Sequence, residues 1–136
     1  MARTRQGPAG TERKHEMSDF NELVGTYIAA WNQTDAAARR DLIGQVWAQD
    51  GRYIDPLADV AGHEQIDAVI GAVQAQFPGL QFRLAGLVDA HHDQARFTWE
   101  LAPDGADAVV VGFDVATRDA DGRLALVLGF LDKVPA

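Results

Sequence analysis

The apolar residues of this chain change their spacing halfway along the sequence. Between Phe20 and Trp31 they recur every three or four positions, which is typical of one face of a helix. Between Ala95 and Leu101 apolar and polar residues alternate, which is typical of a strand with one buried face. Helices followed by strands predict an α+β fold, in which three helices pack on one face of a mostly antiparallel sheet.

Capping and turn residues set the expected limits of each element. The first helix is predicted to begin at Ser18 or Asp19, and the second to run from a Thr34 cap to the turn pair Asp50-Gly51. A short strand, 52–55, ends before Pro56, and a third helix runs from about residue 63 to Pro78. Further strands are predicted over residues 80–88, 95–101, 108–117 and 123–132.

The last two strands are apolar on both faces. In Val109–Val115 and in Leu124–Phe130 both alternating sets of side chains are largely apolar. Such strands need cover on both sides, and three helices can cover only one face of the sheet. We therefore expect a second copy of the chain to cover the outer face and form a symmetric homodimer.

Charge and composition exclude several classes of function. The net charge of −8 disfavours nucleic acid and anionic membrane surfaces as partners, because both need a cationic protein surface. The absence of Cys excludes disulfides, thiolate metal sites and Cys nucleophiles. His91-His92-Asp93 reads as a turn, since adjacent residues rarely converge on one ion, and no metal site is predicted.

The first sixteen residues differ from the rest of the chain. They have no apolar stretch of the kind found in secretory signals, so a cytoplasmic location is expected. They are predicted to be a disordered tail or an added leader, with a basic interaction arm as the alternative, before a single domain over residues 17–136.

Three residues stand out as candidates for chemistry. Asp114 lies in the middle of an apolar strand, where burial would raise the pKa of a carboxyl group and keep it protonated. Asp55 ends a short strand before Pro56, and Tyr27 lies within the apolar stripe of the first helix. Each residue also has a structural interpretation. Asp114 could be an exposed strand residue or one bonded to a backbone amide, Asp55 could open a turn, and Tyr27 could be part of the core packing.

Around these residues the sequence resembles a known superfamily. Tyr27-Ile28, the string from Ala48 to Pro56 and Gly62–Ile66 resemble the first half of ketosteroid isomerases, and Phe113–Val115 with 121–124 resembles the second half. More broadly, the chain is similar to the nuclear-transport-factor-2-like superfamily, which includes SnoaL-like polyketide cyclases. The resemblance covers about 115 residues from near Phe20 onward and implies a cone-shaped fold with a curved sheet.

The resemblance also implies roles for the three candidates. Matched by motif, Asp55 takes the position of the proton-shuttling acid, and Tyr27 and Asp114 take the positions of the oxyanion hole. Such a site moves a proton next to a carbonyl without a cofactor or metal; ketosteroid isomerase is also a standard example of a carboxylic acid kept neutral. Trp31, one turn beyond Tyr27, is a departure that could narrow the pocket.

Aromatic residues are predicted to line the pocket and contact an apolar small molecule. The set is Trp31, Trp47, Tyr53, Phe82, Phe97, Trp99 and Phe130. Three functions are open from the sequence: an isomerase-like or cyclase-like enzyme, a non-catalytic protein that binds an apolar ligand, and a structural dimer module whose cone is filled by aromatic side chains.

Overall fold

The computed structural model describes the backbone of residues 9–135 and the side chains of residues 19–135. Within this range three helices, α1 (Ala9–Asn32), α2 (Ala36–Val46) and α3 (His63–Gln76), accompany one seven-stranded sheet. Its strands are β1 (Trp47–Asp55), β2 (Ala58–Ala61), β3 (Gln81–Leu84), β4 (Asp89–His91), β5 (Gln94–Ala102), β6 (Val110–Arg118) and β7 (Leu124–Lys133). The predicted α+β class is confirmed.

The sheet is curved, open and mostly antiparallel. Its strand order is β2-β1-β7-β6-β5-β3, and β4 pairs with β5 beside this path. Among the described residues, β1 and β7 form a parallel pair, which brings the first of these strands against the last. The helices pack on one face: α1 contacts β3 and β4, while α2 and α3 contact β1. This inner face and the helices enclose the core.

The second helix differs from its prediction at both ends. Asp35, and not Thr34, caps it, since the Asp35 side chain accepts a hydrogen bond from the Ala38 amide at 2.9 Å. The helix ends at Val46, and the predicted turn at Asp50-Gly51 lies inside β1. Between Trp47 and Arg52 the register of β1 on β7 shifts, so the strand accommodates a bulge where the sequence suggested a turn.

Other differences lie at the start of the chain and in two short strands. The first helix begins at Ala9, before the predicted cap at Ser18 or Asp19, and most residues from Glu12 to Met17 favour a helix. The strands β2 and β4 were not predicted. They have four and three residues, which is too few for an alternating pattern to be recognised. The predicted tail over 1–16 falls partly on residues 1–8, outside the described residues, and with the single-domain assignment over 17–136 stays a prediction.

A buried arginine fixes the helices to one another. Arg39 on α2 donates to Asp67 at 2.6 Å and to Gln74 at 2.9 Å, both on α3. The amide of Gln74 in turn donates to the Trp31 and Gln33 carbonyls at the end of α1. This network satisfies carbonyls that the end of a helix leaves without partners, and it holds the part of α1 that carries Trp31.

None of the helices in the described part of the chain has the length and the apolar character needed to cross a membrane.

Candidate active site

A cavity of about 250 Å³ lies between α1, α3 and the inner face of the sheet. Most of its wall is apolar or aromatic, and two acids, Asp55 and Asp114, also line it. The remaining lining residues are Tyr27, Ile28, Trp31, Tyr53, Leu57, Val73, Gln76, Phe77, Phe82, Trp99, Leu101, Val110, Gly129, Phe130, Leu131, Val134 and Pro135. Three of them, Leu57, Phe130 and Val134, are more than half exposed, so they mark an apolar mouth open to solvent.

Asp114 lies at the floor of this cavity, where β6 presents its inner face. Its side chain is 1% exposed, and both carboxyl oxygens accept hydrogen bonds. The Tyr27 hydroxyl donates to Oδ2 at 2.9 Å, and the Trp99 indole N–H donates to Oδ1 at 3.1 Å. A carboxyl group can occupy the middle of an apolar strand here because two donors from α1 and β5 satisfy it.

The burial of Asp114 changes its acidity. Desolvation raises the pKa of Asp114 to about 6, the hydrogen bonds from Trp99 and Tyr27 oppose that rise, and the charge of Asp55 adds to it. Burial, followed by the charge of Asp114, likewise raises the pKa of the Tyr27 hydroxyl well above its usual value, so Tyr27 remains a proton donor. The floor of the cavity therefore holds an acid that is easily protonated beside a neutral phenol.

Asp55 lies at the end of β1, and both of its oxygens are also held. The Tyr53 hydroxyl donates to Oδ2 at 2.7 Å, and the Leu57 amide donates to Oδ1 at 2.8 Å. Burial raises the pKa of Tyr53, and the charges of Asp114 and Asp55 raise it further. The bond from Leu57 is the turn-opening contact expected of an Asp before Pro, which agrees with the structural interpretation of Asp55.

Two glycines create the space that brings the acids together. Gly129 on β7 pairs with Asp114, and its neighbour Leu128 pairs with Ile54 on β1, which places Gly129 between the two acids. A Cβ on Gly129 would lie 3.0 Å from Asp114 Oδ1 and 3.3 Å from Asp55 Cβ. The carboxyl group of Asp114 and the Cβ of Asp55 thus approach the same side of one residue that has no side chain.

Gly112 likewise leaves space for the side chain of Trp99. The indole of Trp99 lies directly over Gly112, its partner across β5 and β6, and a Cβ there would overlap the indole ring. This position lets the Trp99 N–H reach diagonally to Asp114, two residues along β6.

The structure brings the three candidates into one cavity. It places five of the seven predicted aromatic residues in the cavity lining and two outside it. Tyr27, Asp55 and Asp114 all line the cavity. So do five of the predicted aromatic contacts, Trp31, Tyr53, Phe82, Trp99 and Phe130. Trp47 and Phe97 do not: they are buried behind Tyr27, with ring centroids 6.2 and 5.8 Å from it. Their rings support the Tyr27 ring, which faces the cavity in front of them.

Two interactions of the site were missed from the sequence. Trp99 is a hydrogen-bond donor to Asp114 and not only a wall, and the signal was the Gly112 that stands opposite it. Tyr53 bonds Asp55, a contact that follows from their position two residues apart on one strand. Among the side chains that are described, no group of three His, Asp or Glu residues could hold a metal ion.

Comparison with known proteins gives a consistent family. The model of the SnoaL-like domain family matches residues 24–127. A candidate isomerase of the SnoaL-like family from Agrobacterium tumefaciens str. C58 is 43% identical, with a TM-score of 0.81 over 85% of this chain and 99% of that one. None of the curated proteins matches the chain.

Two more distant structures show the same fold. A candidate SnoaL-like polyketide cyclase from Jannaschia sp. CCS1 is 20% identical, with a TM-score of 0.65 over 95% of this chain and 91% of that one. A protein with a ketosteroid isomerase-like fold from Catenulispora acidiphila DSM 44928, in complex with trimethylamine, is 19% identical, with a TM-score of 0.62 over 79% and 83%. The fold predicted from the sequence resemblance is confirmed.

Gly112→Ala tests the packing that aims Trp99 at Asp114. The added methyl group would displace the indole, so we expect a loss of about 1–3 kcal/mol in the free energy of unfolding, together with a shift in tryptophan fluorescence. Gly25→Ala is the control, because nothing lies within 4 Å of its Cβ position on α1 and alanine favours a helix. Equal effects of the two variants would contradict the assigned contact.

Asp114→Asn tests the acidity of the buried acid. Because the pKa of Asp114 is raised from 3.8 to about 6, the folded protein binds the proton more tightly than the unfolded chain does. Wild-type stability should therefore fall as the pH rises from about 4 through about 6, by on the order of 3 kcal/mol relative to the Asn variant. Urea unfolding of both proteins at several pH values measures this difference, and parallel pH curves would show that burial does not raise this pKa.

Proposed function

This chain belongs to the SnoaL-like domain family, and from that premise we propose that it transfers a proton next to a carbonyl group of a small apolar substrate, as ketosteroid isomerases do. The observation that carries the proposal is the pair of acids, Asp55 and Asp114, that meet at Gly129 and line the same apolar cavity. Their surroundings differ: Asp55 is held by a phenol and an amide near the mouth, and Asp114 is almost fully buried. Two carboxyl groups in unlike environments can serve as a base and a neutral acid.

In the proposed reaction Asp55 acts as the base. The Asp55 carboxylate removes a proton from the carbon next to the substrate carbonyl, and the electron pair of that C–H bond forms the enolate. Asp55 then returns the same proton to another carbon, so the substrate is isomerised and the enzyme is regenerated. Only a proton and electron pairs move, so the step calls for no redox cofactor.

Tyr27 and Asp114 stabilise the enolate oxygen. When Asp114 is protonated, its O–H can donate to the Tyr27 oxygen, 2.9 Å away, and the Tyr27 proton is then available to the substrate. A weakly acidic phenol in an apolar cavity stabilises a developing negative charge more strongly than water does. The proposed activity needs neutral Asp114, so it should decline as the pH rises through about 6.

Two alternatives use the same cavity. A cyclase of the polyketide type begins with the same proton removal, after which the enolate carbon attacks a second carbonyl of one long substrate, whose C=O π bond opens to an alkoxide that takes the proton back from Asp55. The exposed Leu57, Phe130 and Val134 at the mouth favour this variant, because they would cover the part of a chain that extends out of the cavity. A non-catalytic binding protein would retain its ligand after Asp55 is replaced and would show no turnover.

Asp55→Asn separates catalysis from binding. With a panel of one-ring and two-ring β,γ-unsaturated ketones, the absorbance of the conjugated product measures turnover. We expect the variant to lose on the order of 10²–10⁴-fold in rate, because amides do not act as general bases. Asp59→Asn on β2 is the control, since Asp59 is exposed, pairs with Arg52 and does not line the cavity. A variant as fast as wild type would contradict the assigned base.

We further propose that a second copy of the chain covers the outer face of the sheet. Phe113 and Val115 on β6 and Leu128 on β7, the partner of Val115, alternate with the inward-facing Asp114, and none of these three apolar side chains is buried within one chain. Light scattering at micromolar concentration should give twice the chain mass of 14.7 kDa. A mass of one chain would contradict the dimer.

A further inference from the structure

We propose that the cavity binds compact organic cations of the alkylammonium class, with the charged group near Asp55 and Asp114 and the alkyl groups against the aromatic wall. This goes beyond the proposed function, because it concerns the charge of the bound molecule and requires no turnover. It rests on the shape of the aromatic wall, on the charges that line the cavity and on its size.

The aromatic wall is a continuous arc that ends on an acid at each side. Successive ring centroids are 5.6 Å apart from Tyr53 to Trp31, 5.3 Å from Trp31 to Phe82 and 5.3 Å from Phe82 to Trp99. Tyr53 at one end donates its hydroxyl proton to Asp55, and Trp99 at the other donates its N–H to Asp114. Aromatic cages of this kind bind quaternary and alkylated ammonium groups through the negative faces of their rings.

The charges that line the cavity all have one sign. Asp55 and Asp114 line it, and no Lys, Arg or His is among the described residues that do. The four donors that satisfy the two acids are two hydroxyl groups, one indole and one amide, which leave the negative charge in place. Carboxylates that share an apolar cavity without a cation are unfavourable, and an organic cation would offset both.

The size and the mouth of the cavity favour a small charged head group. Its volume of about 250 Å³ is below the ~300–1,000 Å³ of sites for drug-sized ligands. An alkylammonium ion loses little hydration energy compared with a metal ion or a primary ammonium, because its charge is already shielded by methyl groups. The exposed apolar mouth can then contact any attached chain.

The protonation of Asp114 sets the pH range in which the cation is expected to bind. The titratable groups that face Asp114 are Tyr27 from α1 and both Tyr53 and Asp55 from β1, and the Trp99 indole faces it from β5. Since the pKa of Asp114 is raised to about 6, its charge forms as the pH rises through that value. Cation binding should strengthen over the same interval in which the proposed proton transfer declines.

A pair of matched ligands tests the inference. Choline and 3,3-dimethylbutan-1-ol have the same shape, and only choline carries a charge. With the full chain at pH 7.5, titration calorimetry and tryptophan fluorescence should show choline binding at least about tenfold more tightly than the neutral alcohol. The preference should shrink at pH 5. Equal affinities, or no binding of choline at millimolar concentration, would overturn the proposal.

Variants locate the cation and separate this inference from the proposed function. Asp114→Asn and Asp55→Asn should each weaken choline binding by about tenfold and leave the neutral alcohol unchanged, while Asp59→Asn on β2 should bind both as wild type does. Two acid variants are used so that one that fails to fold, as judged by circular dichroism, does not end the test. Choline binding without ketone turnover would leave the inference intact and reject the proposed function. Ketone turnover without choline binding would reject the inference and leave the proposed function intact.

Discussion

The burial of Asp114 is the constraint on which the rest of this structure depends. A carboxyl group in the middle of an apolar strand is stable only if each of its oxygens finds a donor, and Tyr27 and Trp99 supply them from two different elements. Those donors require Tyr27 to face the sheet from α1, and Trp99 to lie flat across Gly112. The position of the first helix and the course of β5 are thus tied to one acidic side chain.

The two acids share a cavity but not an environment. Asp55 belongs to the end of a strand, where a turn and a phenol hold it, while Asp114 belongs to the interior of the sheet. This inequality gives the site two kinds of behaviour. Below the pKa of Asp114 the floor is a hydrogen-bond donor suited to a developing negative charge, and above it the floor is an acceptor suited to a positive one.

Sequence periodicity was sufficient for the α+β class and for the elements that carry Tyr27 and Asp114, while the curved cone came from the family resemblance. The stripe that contains Tyr27 and the alternation around Asp114 are strong local signals, and both residues occupy the positions predicted for them. Local signals failed where tertiary contacts decide. Asp50-Gly51 has the composition of a turn, but pairing with β7 extends the strand through it. Trp47 and Phe97 look like pocket residues by type, but only the packing of α1 shows that Tyr27 stands in front of them.

The two glycines beneath the cavity, Gly112 and Gly129, have a consequence for changing the ligand. A side chain introduced at Gly112 would overlap Trp99, and one introduced at Gly129 would press on the two acids, so these two positions are the costliest to change. The opposite wall is freer: Trp31 and Phe82 contact other rings without bonding either acid, so their volume can be altered while the acids stay in place. Libraries that vary these two positions would explore new ligand shapes on an unchanged set of reactive groups.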